Sequence, residues 1–154
     1  MSSGVTIGDG VIETFDKMKL MKSEKKAVFF GFSCDEKYIV VEEGKEILSG
    51  DCNGDFFPRL KSMFSDTKCC YALLDIEYVT GESKKRDLIF VLWAPEDAPI
   101  KEKMLFASSK PYLKQAFSGV NKQWEIHSQD DLTVDQLAQK LSSGKIKSLE
   151  GHLL

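Results

Sequence analysis

The sequence predicts an α/β fold of the α+β sandwich kind, with a central mixed β-sheet of five to six strands and helices on both faces. Three observations predict it. Two long strand-like runs, 69–79 (CCYALLDIEYV) and 87–94 (DLIFVLWA), stand close together in mid-chain. The second is apolar at nearly every position, as a strand buried on both faces must be. Segments with apolar residues at helical spacing lie before and after the pair, and no repeat or low-complexity linker divides the chain. At 154 residues the chain corresponds to one domain. That domain is expected to span 1–154, with 1–8 as a flexible N-terminal arm.

Each element has its own signal. Asp9 is a good N-cap, and Val11, Ile12, Phe15 and Met18 follow at helical spacing, giving a first helix over about 9–21. Residues 27–33 (AVFFGFS) and 37–42 (KYIVVE) read as strands with Asp35 and Glu36 in the turn between them. A third short strand covers Lys45–Ser49, and Gly50, Asp51, Asn53 and Gly54 form a loop. Pro58 opens a short helix carrying Leu60, Met63 and Phe64. Between the two strong strands, Thr80–Arg86 is Gly-containing and basic, which predicts a hairpin with an exposed tip.

A long helix is expected over about 100–118, entered through Pro95 and Pro99. Pro111 lies inside it and predicts a kink near Ser108–Lys110, because its ring removes the hydrogen bond to the Ala107 carbonyl. Gly119 ends the helix. A strand near Gln123–His127 then leads to a last helix over about Thr133–Leu141, capped near Asp131 or Leu132. Gly144 stops that helix, and an edge segment follows at 146–150.

Composition excludes several function classes. Hydrophobic residues make up 42% and charged residues 29%, ordinary for a globular protein. A net charge of −3 leaves no bulk electrostatic attraction for nucleic acid, so any basic surface is local. No apolar run approaches the ~20 residues of a membrane span, and no signal peptide opens the chain. Cys34, Cys52, Cys69 and Cys70 match no zinc spacing, and only His127 and His152 are present to supplement them. No metal or cofactor is expected. The thiols read as reduced and cytoplasmic, with at least one of Cys69 and Cys70 in the core. No phosphate loop, HExxH or GxSxG pattern occurs, and His127 reads as a surface or structural histidine, so no enzyme is expected.

Binding chemistry is better signalled. On the long helix, Leu113, Ala116, Phe117 and Val120 share one face, and Phe106 joins them when the helix is projected back. Met104 falls on the opposite side, flanked by Lys101 and Ser108. A flexible apolar side chain among lysines and serines on a solvent face is the composition of a contact surface.

The same segment carries the pattern APxKxKMxxASSK, as Ala98, Pro99, Lys101, Lys103, Met104, Ala107, Ser108, Ser109 and Lys110. Further matches run in order along the chain: SSGV near the start, DGVI at 9–12, EEGKEIL at 42–48, YALLDIEY at 71–78, ESKKRDLIF at 82–90 and SLEG at 148–151. Together they resemble the actin-depolymerizing factor/cofilin family over most of the chain. The resemblance implies the actin-depolymerizing factor homology fold. It implies an actin monomer-binding surface of Ser3, Gly4, Val5, Lys101, Lys103, Met104, Ser108 and Ser109. A second, filament-binding surface would comprise Lys84, Lys85 and Arg86 with Gln139 and Lys140 of the last helix. Gln139 departs from the acidic–basic pair that many relatives carry there.

Regulation is implied as well. Relatives are switched off by phosphorylation of the N-terminal serine, here Ser3, which implies a kinase and a phosphatase as partners. A phosphate there adds about −1.5 to −2 charges beside an acidic partner and competes for Lys101 and Lys103. Lys84, Lys85, Lys101, Lys103 and Lys110 form the implied phosphoinositide-binding set. The basic nuclear-import insert of vertebrate relatives is reduced to Lys25 and Lys26, and the helix-end histidine that some relatives use to sense pH is replaced by Lys122. The expected function is that of a monomeric, cytoplasmic, cytoskeletal actin-binding protein. It binds monomers and filament sides, alters filament twist, severs and depolymerizes. The alternative is a same-fold relative, either a non-severing side-binder of the coactosin type or one acting on branch-point complexes, the glia maturation factor type.

Overall fold

The computed structural model describes residues 6–20, 25–33, 37–48, 56–81, 83–117, 119–120, 122–141, 146, 148–149 and 152–153. Among these, the strands are β1 (Thr6–Ile7), β2 (Lys25–Phe32), β3 (Tyr38–Leu48), β4 (Cys70–Thr80), β5 (Ser83–Trp93), β6 (Lys122–Ile126), β7 (Ser148–Leu149) and β8 (His152–Leu153). The helices are α1 (Asp9–Lys19), α2 (Phe56–Met63), α3 (Ile100–Ala116) and α4 (Val134–Leu141). One mixed sheet holds all the strands, in the order β1-β3-β2-β4-β5-β6, and β7 pairs with β4 and β8 beside this path. The inner pairs β3-β2-β4-β5 are antiparallel. The outer pairs β1-β3 and β5-β6 are parallel. Parallel neighbours need a long crossover, and α3 supplies it between β5 and β6.

Strand alternation divides the core in two. Phe29, Ala72, Leu74, Ile76, Val91 and Trp93 face α2 and α4, meeting Leu60, Phe64, Leu137 and Leu141. Phe30, Tyr71, Leu73, Phe90 and Leu92 face α1 and α3, meeting Val11, Phe15, Phe106 and Leu113. The expected mixed sheet with helices on both faces is therefore the observed one. β4 is buried from Cys70 to Ile76 without a break, as a central strand covered on both sides must be.

Several boundaries differ from the sequence expectation, each for a local reason. The arm expected to be flexible over 1–8 contains β1, because Thr6 and Ile7 pair with Tyr38 and Ile39. Gly8, not Asp9, occupies the α1 cap position. Its N–H donates to the Ile39 carbonyl at 2.9 Å, and a Cβ there would sit only 3.0 Å from that oxygen. The two strands expected at 37–42 and 45–49 are one, β3. The break expected between the two survives as a register shift, since Val28 pairs with Glu46 but Phe30 with Val41. Thr133, not Asp131 or Leu132, caps α4, its Oγ1 accepting from the Gln136 N–H at 3.2 Å.

The long helix ends at Ala116, and Gly119 follows with φ +90, the left-handed conformation that glycine adopts without strain. α3 continues through Pro111 without interruption. Finally, the expected 80–86 connection is mostly strand. Thr80 pairs with Ser83, so only the tip at Gly81 lies between β4 and β5, with its neighbour 82 outside the described residues.

Candidate functional site

The first turns of α3 carry the clearest site. Pro99 stands at the cap with φ −56, and the Lys103 N–H donates to its carbonyl at 3.0 Å. Two ties fix the helix on the sheet. Glu102 Oε1 accepts from the Cys69 backbone N–H at 2.7 Å, and the Tyr71 hydroxyl donates to the Phe106 carbonyl. Phe106 and Leu113 point inward, as their spacing predicts. On the opposite side Met104 is 66% exposed, with Lys101 and Ser108 exposed beside it.

Ile100, one turn before Met104 and 72% exposed, extends the apolar patch. Sequence reasoning passed over it, although its i, i+4 spacing to Met104 was the available signal. Lys103 is half-buried and its Nζ donates to the Glu96 carbonyl at 3.1 Å, so it also fastens the helix entrance. Ser108 bonds back to the Leu105 carbonyl at 3.1 Å. Ser109 is fully buried and its Oγ has no hydrogen-bond partner among the described residues. Its place in the surface patch is thus corrected: helical geometry turns position 109 inward with Phe106 and Leu113. Lys110 is turned to the side of the helix, 3.8 Å from Glu125.

The arm approaches the same end of the sheet. Thr6 pairs with Tyr38 at the start of β3, next to the end of β2, where the Phe32 ring packs edge-on against Phe106 at 4.9 Å. Tyr38 is 47% exposed there. Ser3, Gly4 and Val5 lie outside the described residues. A cleft of about 420 Å³ opens under the first turns of α3, lined by Phe32, Met63, Cys69, Lys101, Leu105 and Phe106 among others. It is not built for nucleophilic chemistry. Burial above all, with the charge of Glu102, pushes the Cys69 thiol up to about 11 against a smaller opposing effect of Lys103. A thiol so protonated at neutral pH is inert. His127 is an exposed surface residue, its Nδ1 donating to the Ala94 carbonyl at 2.9 Å and its Nε2 3.2 Å from Glu125.

The second set of cations sits at the far end of the sheet. Lys85 and Trp93 are eight residues apart on β5, roughly 27 Å at strand rise, and α3 begins beyond Trp93. One phosphoinositide head group therefore cannot touch Lys84, Lys85, Lys101 and Lys103 together. Lys84 and Lys85 are both exposed but project from opposite faces by strand alternation. Lys85 shares the face of its partner Tyr78, which belongs to the α2–α4 side of the core. Exposed Gln139 and Lys140 of α4 lie on that side too, on the helix that precedes β7, which returns to pair with Tyr78 and Val79. Arg86 is committed elsewhere. Its Nε lies 2.6 and 2.8 Å from the two oxygens of Asp75, and its terminal NH2 also bonds Asp75.

The comparisons with known proteins fit this geometry. The family model of cofilin/tropomyosin-type actin-binding proteins matches residues 4–142. The crystal structure of a Streptomyces griseoflavus cofilin superposes with a TM-score of 0.77 at 31% identity, covering 92% of this chain and 100% of that one. Actin depolymerization factor 2 of Plasmodium berghei gives 0.77 at 27% identity, covering 92% and 99%. Human coactosin-like protein shares the fold, with a TM-score of 0.72 at 15% identity over 94% of both chains.

Proposed function

This chain belongs to the family of cofilin/tropomyosin-type actin-binding proteins, and we propose that it binds actin monomers and filament sides, alters filament twist, severs and depolymerizes. The observation that carries the reading is the exposed pair Ile100 and Met104 on α3 with Lys101 beside it. Apolar side chains of this size contribute ~1.5–3 kcal/mol each when a partner buries them. The lysines orient an acidic partner and raise the association rate. Thr6, at the same end of the sheet, supports a role for the arm preceding it, Ser3, Gly4 and Val5.

Filament binding adds the hairpin end, with Lys85, Lys84, Gln139 and Lys140 as the contact and Arg86 within the fold behind them. A ligand that prefers one filament twist shifts subunits toward that twist, which is how binding alone promotes severing. No bond in a substrate is broken. Phosphorylation of Ser3 by a kinase, reversed by a phosphatase, sets a negative charge against the acidic partner. Inositol head groups compete through Lys101, Lys103 and Lys110 at one end or Lys84 and Lys85 at the other. The protein works as a single domain and a monomer in the cytoplasm and cytoskeleton. No helix among the described residues is long and apolar enough to cross a membrane.

Co-sedimentation with actin filaments tests the reading, comparing wild type with Lys101→Ala/Lys103→Ala. Wild-type protein is expected in the pellet with extra actin released to the supernatant, and the double variant to lose both. Pelleting without release would favour a non-severing side-binder of the coactosin type. Absence of binding to filaments and monomers would overturn the proposal and favour an action on branch-point complexes.

A further inference from the structure

The β4–β5 hairpin outruns the rest of the sheet. β2 leaves β4 at Leu74, and β6 meets β5 from Ile89 onward. Residues 75–80 and 83–88 are therefore a two-stranded ribbon, edged among the described residues only where β7 pairs with Tyr78 and Val79. A two-stranded ribbon alone is marginally stable. This one is held at its base on both faces. On one face Arg86 grips Asp75, a carboxylate only 2% exposed, through a two-nitrogen fork. On the other, the buried Tyr78 hydroxyl donates to Asp87, and Lys122 Nζ at the start of β6 lies 3.8 Å from the same carboxylate. Both contacts are diagonal across the strand pair, the geometry that resists shear and twist between the strands.

We propose that Asp75–Arg86 and Tyr78–Asp87 form a two-sided clasp that fixes the twist of the ribbon and so positions Lys84 and Lys85, the residues just beyond it, for the filament. Arg86 and Tyr78 are positioning residues that do not touch actin. This inference rests on the filament-contact reading above. The physical reason is preorganisation: lysines on a fraying ribbon must be ordered on binding, at an entropic cost that the clasp removes in advance.

The test measures amide hydrogen exchange of the free protein together with affinities for filaments and monomers. Tyr78→Phe removes one hydroxyl. Asp75→Asn/Arg86→Gln removes the ion pair without leaving a lone buried charge. In each, amides of 77–80 and 83–86 are expected to exchange about tenfold faster, with those of 71–74 and 89–92 unchanged. Filament affinity falls about fivefold while monomer affinity is retained. Unchanged exchange in the ribbon overturns the clasp, as does a parallel loss of both affinities. Lys84→Ala/Lys85→Ala separates the two ideas. If it binds filaments as wild type does, the filament reading fails and the inference with it. If it is weak while the clasp variants bind normally, only the inference is overturned.

Discussion

Glu102 on α3 accepts a hydrogen bond at 2.7 Å from the backbone N–H of Cys69, the residue just before β4. The contact joins the first turn of α3 to the central strand, 33 residues away in sequence. Glu102 also sits where a carboxylate complements the helix dipole. Hydrogen bonds to charged groups contribute ~1.5–3 kcal/mol when they hold a part-buried donor. Glu102→Ala is therefore expected to lower unfolding free energy by about 1–3 kcal/mol, read from urea denaturation. An unchanged midpoint would show that water replaces the carboxylate at no cost.

Ser109 gives the opposite expectation. Its Oγ is buried without a hydrogen-bond partner among the described residues, so the hydroxyl carries a desolvation cost that an alanine methyl does not. Ser109→Ala should raise stability by up to about 1 kcal/mol and leave actin binding unchanged. A loss of affinity in a stable Ser109→Ala protein would return this residue to the contact surface.

Alkaline pH should unfold the protein by a defined route. Burial first, then the hydrogen bond and charge of Asp87, pushes Tyr78 from 10.0 up to about 12. Burial likewise takes the Cys69 thiol from 9.0 up to about 11. Both groups hold their proton more tightly when folded. Their contribution is complete below the unfolded values and is lost as pH rises through the folded ones. Denaturation midpoints should stay level to about pH 9 and fall between about pH 9 and 12. Tyr78→Phe should lessen the part of that fall above about pH 10, where buried Tyr71, also pushed up by burial, supplies the remainder; an identical profile in the variant would contradict the assignment.

Lys84 and Lys85 should not be equivalent. Strand alternation sends Lys85 to the α4 side, with Gln139 and Lys140, and Lys84 to the other. Lys85→Ala should weaken filament binding about three- to tenfold and Lys84→Ala distinctly less, with monomer binding unaffected in both. Equal losses in co-sedimentation would mean that the contact wraps the ribbon.

Much of this was legible in the sequence, and the omissions have a common cause. Periodicity placed β4, β5, α3 and α4, and spacing on α3 put Met104 outside and Phe106 inside, because these depend on residues a few positions apart. Long-range pairing was invisible. Nothing local announces that Arg86 turns to Asp75, that Glu102 reaches Cys69, or that Thr6 pairs with Tyr38. Residues 80–86 read as the connection of a hairpin because glycine and charge suggest a turn, whereas the register continues the strands to Thr80 and Ser83. Ser109 was grouped with Ser108 by a linear motif, and one further residue of helical rotation buried it.

The central claim is that the two ends of this sheet do different work, with the Ile100–Met104 face engaging the actin monomer. It is tested most directly by titrating fluorescently labelled actin monomers with wild type, Ile100→Ala/Met104→Ala and Lys84→Ala/Lys85→Ala. Both apolar residues are exposed, so their truncation should leave the fold intact while weakening monomer binding by about tenfold or more. The hairpin variant should bind monomers as wild type does. Monomer affinity that survives the loss of Ile100 and Met104, or that falls with Lys84 and Lys85 instead, would contradict the account.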